Sequence, residues 1–197
     1  MTDRIQSKAD IAPRVAPLRF RRGHDAGNRS PDRPTLTHNP RVPRPALACP
    51  CRARDTAPTP SYASCCGRWH EGLPRGEHAP TPESLMRSRY SAYALAQGRG
   101  QDIDRASLTD YLSKTWHPST APGELALEPM QWTGLDVRHQ HTSGDTGVVE
   151  FVAHHKVNGR AGRLHERSRF VREGGAWLYV DGMVAPDAEG QATEVAR

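Results

Sequence analysis

The four cysteines of the chain stand in two close pairs, Cys49-Pro50-Cys51 and Cys65-Cys66, with thirteen residues between the pairs. Thiolates are preferred ligands of structural zinc, which takes four of them in a tetrahedron. Each pair can supply two ligands from one turn, and the segment between the pairs closes the site. The surrounding residues are mostly turn formers, so a bound ion would replace the hydrophobic core that this stretch lacks. The spacing therefore predicts a Zn²⁺ site formed by the four cysteines.

Other uses of these thiols stay open from the spacing alone. The four cysteines could instead form two disulfides, for which three connectivities exist. Nothing in the sequence indicates secretion, however, and a reducing compartment favours free thiols over disulfides. The thiols could also be inert. His70, four residues after Cys66, is a spare ligand by residue type, but a turn or packing role is the commoner use of such a histidine.

Charge is distributed unevenly along the chain. Residues 1–48 carry ten Lys and Arg against four Asp, a net charge of +6, whereas residues 49–197 carry seventeen basic and eighteen acidic residues, a net charge of −1. The basic segment has few aliphatic residues, so we predict disordered tails over 1–48 and 184–197. The near-neutral remainder disfavours nucleic-acid binding. No apolar stretch could span a membrane and no signal peptide is evident, so we expect a cytoplasmic protein.

Two helices are predicted after the cysteine-rich segment 49–78. Thr81 is a good N-cap and Pro82 suits the first helical position, and apolar residues then recur with helical spacing as far as Gly98. A second helix is expected from about Asp104 to Thr115, because its apolar residues also share one face.

The hydrophobic period changes to two in the last third of the chain. It predicts four strands, over 131–139, 148–156, 163–172 and 176–182, separated by turn signals. Helices followed by antiparallel strands define an α+β domain, here over 79–183, with the helices packed on one face of a curved sheet. The predicted architecture is thus a short Cys-rich zinc knuckle followed by this α+β domain.

The inner face of the sheet is where a pocket would form. Alternation places Glu166 and Ser168 inside, where polar groups need partners. His117 follows the second helix, and Asp181 is expected on the inner face of the last strand. These four residues are the pocket candidates, since a carboxylate beside a histidine could act as general acid and base.

Structural roles are the alternatives for Glu166. Its carboxylate could tie helix to sheet by pairing with Arg87 or Arg89. If the strand is turned over, His165, Arg167 and Arg169 face inward instead and Glu166 is solvated. The tryptophans and phenylalanines are expected in the core rather than in a ligand site.

Several blocks of the sequence, taken in order, resemble the YchJ family of uncharacterised proteins. The first resembles the SEC-C motif, which elsewhere forms a zinc-binding tail of the preprotein translocase motor. The resemblance covers about residues 49–182. The blocks are Cys49-Pro-Cys51 with Tyr62-Ala-Ser-Cys65-Cys66-Gly, Pro80-Thr-Pro-Glu-Ser-Leu-Met-Arg-Ser-Arg-Tyr90-Ser-Ala-Tyr93, Thr115-Trp-His-Pro-Ser-Thr120, Leu164-His-Glu-Arg-Ser-Arg-Phe170 and Trp177-Leu-Tyr-Val-Asp-Gly182.

The resemblance implies that Cys49, Cys51, Cys65 and Cys66 bind the metal. It also implies a domain like that of the nuclear-transport-factor-two superfamily, a cone of curved antiparallel sheet crossed by helices. A protein partner for the knuckle is implied too, because the translocase tail contacts a secretion chaperone. The segment after Cys51 departs from the family: it lacks a short glycine-rich stretch and is about five residues longer, an insertion that costs little closure entropy.

The sequence thus leads to a functional hypothesis with one alternative. The hypothesis is a zinc protein whose knuckle is a docking element and whose cone is a scaffold or a small-ligand pocket. The alternative is a small enzyme of hydrolase or isomerase type, which requires an acid and a base facing one open pocket. A cone filled by aromatic and aliphatic side chains would favour the scaffold.

Overall fold

The structure is a computed structural model that describes residues 46–98, 103–127 and 129–185. The predicted tails 1–48 and 184–197 lie largely outside the described residues. Ala48 pairs with Ser61 in a short antiparallel bridge, so the cysteine-rich segment includes residues just before the predicted start at 49. No helix within the described ranges is long and apolar enough to cross a lipid bilayer.

The cysteine-rich segment is built from short helical turns. It begins with a 3₁₀ turn, Pro50–Arg52, and ends with another, Leu73–Arg75. Between them, a π-helical turn, Ala63–Gly67, continues into helix α1, Arg68–Gly72. Such a segment has little apolar surface to bury, so it depends on the four sulfurs and on the domain behind it for its shape.

Two longer helices follow at the predicted positions. Helix α2 spans Pro82–Gln97, and helix α3 spans Arg105–Lys114. Thr81 caps α2: its Oγ1 accepts a hydrogen bond from the Ser84 amide at 3.1 Å, and the Ser84 hydroxyl accepts one from the Thr81 amide at 3.0 Å. Asp104 caps α3 through its carboxylate.

Four antiparallel strands form one open sheet in the order β1-β2-β3-β4. They are β1, Gln131–Ser143; β2, Thr146–Val157; β3, Arg160–Glu173; and β4, Ala176–Val184. Consecutive strands are joined by tight hairpins, and register shifts interrupt the β1–β2 and β3–β4 ladders, which increases local twist and bends the sheet. The predicted α+β class, with helices ahead of an antiparallel sheet, is confirmed.

Aromatic and aliphatic side chains fill the space between the helices and the sheet. Residues 115–117 run beside β4, where the Tyr179 amide donates to the Thr115 carbonyl at 2.9 Å. The buried side chains of the helices and of the inner sheet face form one core. Its larger members are Leu85, Met86, Tyr90, Leu108, Tyr111, Leu112, Trp116, Leu135, Phe151, Phe170, Trp177 and Tyr179.

The orientation of β3 is the one in which Glu166 and Ser168 face inward, because both are buried. The alternative orientation, with His165 and Arg167 inside, is excluded, since Arg167 is exposed. The expectation that Asp181 shares the inner face is wrong. Arg169 pairs with Asp181 while the next residue of β3 pairs with Tyr179, so one residue of β4 is extra and the alternation reverses there.

Candidate metal centre

Backbone hydrogen bonds bring the two cysteine pairs face to face. The Cys49 amide donates to the Pro60 carbonyl at 2.9 Å, and the Tyr62 amide donates to the Leu47 carbonyl, which joins the start and the end of the intervening loop. A Cβ added at Gly67 would lie 2.9 Å from the Tyr62 carbonyl oxygen. The glycine after the second pair therefore lets the helical turn approach the preceding chain.

The four sulfurs form one compact cluster, with all Sγ atoms within 4.8 Å of one another. The Sγ of Cys51 lies 3.5 Å from that of Cys49, 3.7 Å from that of Cys65 and 3.5 Å from that of Cys66. The two adjacent sulfurs of the second pair are 3.9 Å apart. Zinc–sulfur bonds of about 2.3 Å give a tetrahedron with edges of about 3.8 Å. The arrangement therefore fits one tetrahedral metal ion.

Hydrogen bonds within the cluster shift the pKa values of its thiols in opposite directions. Hydrogen bonds from Cys51 and Cys66 lower the pKa of Cys49, whereas the hydrogen bonds that Cys66 makes to its neighbours raise the pKa of Cys66. The sulfurs thus share protons instead of ionising together. A divalent cation would displace those protons and offset the charge of four thiolates.

The long loop after Cys51 does not separate the sulfurs, because it is fixed to the sheet. Arg54 donates from Nε to the Asp136 carboxylate of β1 at 3.1 Å. A Cβ at Gly134 would overlap the Arg54 side chain, so the glycine opens the place where the loop crosses β1. The loop thus contacts the α+β domain through the Arg54 side chain.

Both ring nitrogens of His70 point away from the cluster. Its Nδ1 lies 2.6 Å from the Tyr62 hydroxyl, and its Nε2 lies 3.0 Å from the Ser88 carbonyl of α2. Burial lowers its pKa to about 4, so the ring is neutral and donates one of these two hydrogen bonds. His70 therefore packs the knuckle against the domain.

Helix α2 contributes polar contacts to the other side of the cluster. Arg87 donates from Nη1 to the Cys51 carbonyl at 3.1 Å. The Ser91 hydroxyl lies 3.6 Å from the Cys49 sulfur. Neither residue was among the predicted site residues. Their spacing of four places them on one helix face, but only the tertiary structure shows that this face meets the cysteines.

A groove of about 530 Å³ opens beside the less buried edge of the cluster. Cys65 and the Ser84 end of α2 line one side of it, and the loop around Ala57 lines another. Arg68 covers the ring of Trp69, with its guanidinium carbon 4.1 Å from the ring centroid. The groove thus places an aromatic ring and a stacked guanidinium next to the metal site.

Three guanidiniums line the groove, and two of them are paired within it. Arg52 contacts Asp55 at 2.9 Å, and Arg87 contacts Glu83 at 2.7 Å. Arg68 has no carboxylate within ion-pair distance among residues 46–98, 103–127 and 129–185. It is therefore the groove cation that these residues leave without a carboxylate partner.

The predicted pocket residues Glu166 and Ser168 lie inside the domain and contact each other. The Ser168 hydroxyl donates to Glu166 Oε1 at 2.6 Å, and the Tyr179 hydroxyl lies 3.4 Å from the same oxygen. Arg87 and Arg89, the arginines considered as partners of this carboxylate, contact Glu83 and the Thr115 hydroxyl, respectively. The Glu166 carboxylate therefore lies among buried side chains on the inner face of the sheet.

The other two pocket candidates lie elsewhere. His117 binds Ser119 through Nδ1 at 2.6 Å and Glu173 through Nε2 at 3.2 Å. Glu173 stands seven residues along β3 from Glu166, a Cα separation of about 23 Å on an extended strand. Asp181 pairs with Arg169 on the outer face. The structure therefore does not assemble these candidates into one acid–base pair.

Fold and site together define a class of protein: an α+β domain with helices on one face of an antiparallel sheet, preceded by a cysteine knuckle. The family model described as the middle NTF2-like domain of YchJ matches residues 81–182. The chain belongs to the YchJ family.

Relatives and solved structures agree with this assignment. UPF0225 proteins of Chromobacterium violaceum and Methylibium petroleiphilum are 46% and 47% identical to the chain over 145 and 149 residues, which cover 70% and 73% of this chain and 93% of each relative. A SEC-C motif containing protein from Rhodopseudomonas palustris has a similar structure (TM-score 0.54, 28% identity, 71% of this chain and all of the other). One from Psychrobacter arcticus aligns with a TM-score of 0.56 at 27% identity, over 71% and 83% of the two chains.

Proposed function

We propose that this chain is a zinc-stabilised docking protein, in which one Zn²⁺ fixes the knuckle on the α+β domain and the groove beside it receives a partner protein. The observation that carries the proposal is the convergence of four cysteine sulfurs within 4.8 Å. A closed set of four thiolates is typical of structural zinc, whereas catalytic zinc keeps a position open for water or substrate. The metal is therefore assigned a structural role.

The chemistry of the donor set favours zinc over harder ions. Thiolates select zinc and iron–sulfur centres, whereas calcium and magnesium require oxygen ligands. All four thiols are free, which suits a reducing compartment. We accordingly place the protein in the cytoplasm.

The filled interior of the α+β domain supports a scaffold rather than a small-ligand pocket. Phe170 and Tyr179 occupy the inner face of the sheet and are at most 5% exposed. The Glu166 carboxylate is enclosed among these residues with the Ser168 hydroxyl as a donor. His117, the candidate partner for acid–base chemistry, binds Glu173 instead. The domain is thus suited to hold the knuckle rigidly.

The groove is the surface that best suits a protein partner. Its volume of about 530 Å³ can take a few residues of an extended chain. Aromatic and arginine side chains dominate binding energy at protein interfaces, and Arg68 stacked on Trp69 supplies both. Because Arg68 is the groove cation without a carboxylate of its own, the partner segment is expected to place an acidic side chain there.

Site-specific photocrosslinking of the full chain tests this proposal. A photoreactive residue replaces Ala57 at the groove, and the matched control carries it at Ala161, an exposed alanine near the β2–β3 hairpin. Each protein is loaded with zinc and illuminated in an extract of the cells that produce it. We expect a discrete protein adduct from position 57 alone, lost in an Arg68→Glu background.

Two further outcomes decide the docking assignment. Removal of zinc is expected to abolish the adduct, because groove residues flank the metal ligands. Adducts of equal yield from positions 57 and 161, or an adduct indifferent to Arg68→Glu, would contradict docking in this groove.

A further inference from the structure

One face of helix α2 meets the cysteine cluster and carries two polar side chains. Arg87 and Ser91 are separated by four residues, so they lie one above the other on the helix surface. Arg87 holds the Cys51 carbonyl at 3.1 Å, and Ser91 brings its hydroxyl to 3.6 Å from the Cys49 sulfur. The α+β domain therefore reaches the cluster at both residues of the first cysteine pair.

The environment of Ser91 leaves its hydroxyl directed at sulfur. The residue is 0% exposed, and the Cys49 sulfur is the hydrogen-bond partner that the described residues provide for its Oγ. Serine inside a helix commonly donates to a carbonyl of the preceding turn. Ser88, one turn earlier and equally buried, follows that rule by donating to the Leu85 carbonyl at 2.8 Å. Ser91 departs from it.

A metal-bound thiolate accepts hydrogen bonds but has none to donate. In the metal-loaded centre the Ser91 hydroxyl is therefore the donor and the Cys49 sulfur is the acceptor. Groups that hydrogen-bond a ligand in this way orient it and adjust its charge, and their loss typically costs about 10- to 100-fold in metal affinity.

We propose that Ser91 is a positioning residue of the metal centre, so that helix α2 of the α+β domain completes a site whose ligands all lie in the knuckle. The inference rests on the metal centre of the proposed function and adds to it a residue 42 positions away from Cys49. It follows that the α+β domain contributes to the metal affinity of the knuckle.

The test compares three full-length variants with the wild type. Zinc affinity is measured by competition with a chromophoric chelator, and the thiolate-to-metal absorption of the cobalt form is recorded as a second readout. Ser91→Ala is expected to weaken zinc binding about 10- to 100-fold and to shift the cobalt band. Ser91→Thr, which keeps a hydroxyl, is expected to bind zinc more tightly than Ser91→Ala.

Ser88→Ala is the matched control, because it removes an equally buried hydroxyl from the same helix. Its hydroxyl lies 2.6 Å from the Tyr111 hydroxyl, so the variant is expected to lower the unfolding midpoint and to leave the zinc affinity unchanged. Equal zinc affinities of Ser91→Ala and the wild type would overturn the role of Ser91 but not the metal centre itself. Equal weakening by Ser91→Ala and Ser91→Thr would do the same, since it indicates packing. A wild type that takes up no metal overturns the proposed metal centre together with this inference.

Discussion

Arg89 is the buried cation that joins helix α2 to helix α3 and the sheet. It is 5% exposed, and its Nη1 donates to the Leu112 carbonyl at 2.6 Å and to the Thr115 hydroxyl at 2.7 Å. Its guanidinium carbon lies 5.0 Å from the ring centroid of Trp116 and 4.8 Å from that of Tyr179. Replacing it with methionine keeps most of the volume and removes all of these polar contacts.

The expected loss follows from the contacts. Each hydrogen bond from a charged donor contributes about 1.5–3 kcal/mol, and relief of the desolvation of a buried cation offsets part of the sum. Arg89→Met is therefore expected to lower the free energy of unfolding by about 3 kcal/mol. Arg169→Met is the control, because Arg169 is 60% exposed in its pair with Asp181 and such pairs contribute about 1 kcal/mol or less.

Urea denaturation followed by tryptophan fluorescence measures both variants. The midpoint should fall clearly for Arg89→Met and only slightly for Arg169→Met, with slopes unchanged. A loss for Arg89→Met no larger than that for Arg169→Met would refute the conclusion that Arg89 holds the helices together.

Two further perturbations test the packing of the knuckle and of the sheet. Burial lowers the pKa of His70 to about 4 in the folded state, whereas an unfolded histidine binds a proton below about pH 6.5. As the pH falls from about 6.5 to about 4, the unfolded state is therefore favoured, and the free energy of unfolding should decrease by about 3 kcal/mol. The free energy of unfolding is measured by urea denaturation at a series of pH values with a chelator present. The wild type and His70→Gln should differ in their pH dependence, and parallel curves would contradict the role of His70. Gly182→Ala should destabilise by about 1–3 kcal/mol, because the new Cβ would lie 2.8 Å from Glu166 Cγ. Gly123→Ala, which meets no atom within 4 Å, is the control in thermal melts, and equal melting temperatures would contradict the close approach.

Local signals account for what the sequence predicted well. Thr81 and Pro82 define the start of helix α2 through short-range capping, which tertiary structure did not alter. Strand β1 extends beyond the predicted 139 to Ser143. Its last residues are polar and exposed, so they carry no alternating pattern, and they pair because β2 lies alongside.

Features that depend on irregular pairing escaped prediction. The extra residue between Tyr179 and Asp181 reverses the alternation of β4 and moves Asp181 to the outer face. Nothing in the local sequence marks that position. The carboxylate then pairs with Arg169, so a candidate chosen by strict alternation became a surface ion pair.

The cluster itself was predictable because spacing and residue type act locally, and the family resemblance pointed to the same four cysteines. Its surroundings were not. The docking of α2 against the knuckle depends on where His70 and Arg87 pack, which is a property of the assembled structure. Ser91 therefore appears in the sequence as an ordinary helical serine.

Metal content of the intact chain, purified under reducing conditions, tests the central claim most directly, alongside a variant carrying Cys65→Ser and Cys66→Ser. The account predicts about one zinc per intact chain and its loss in the double variant, because four thiolates are needed to close the tetrahedron. No zinc in the intact chain, or zinc retained without the second cysteine pair, would contradict it.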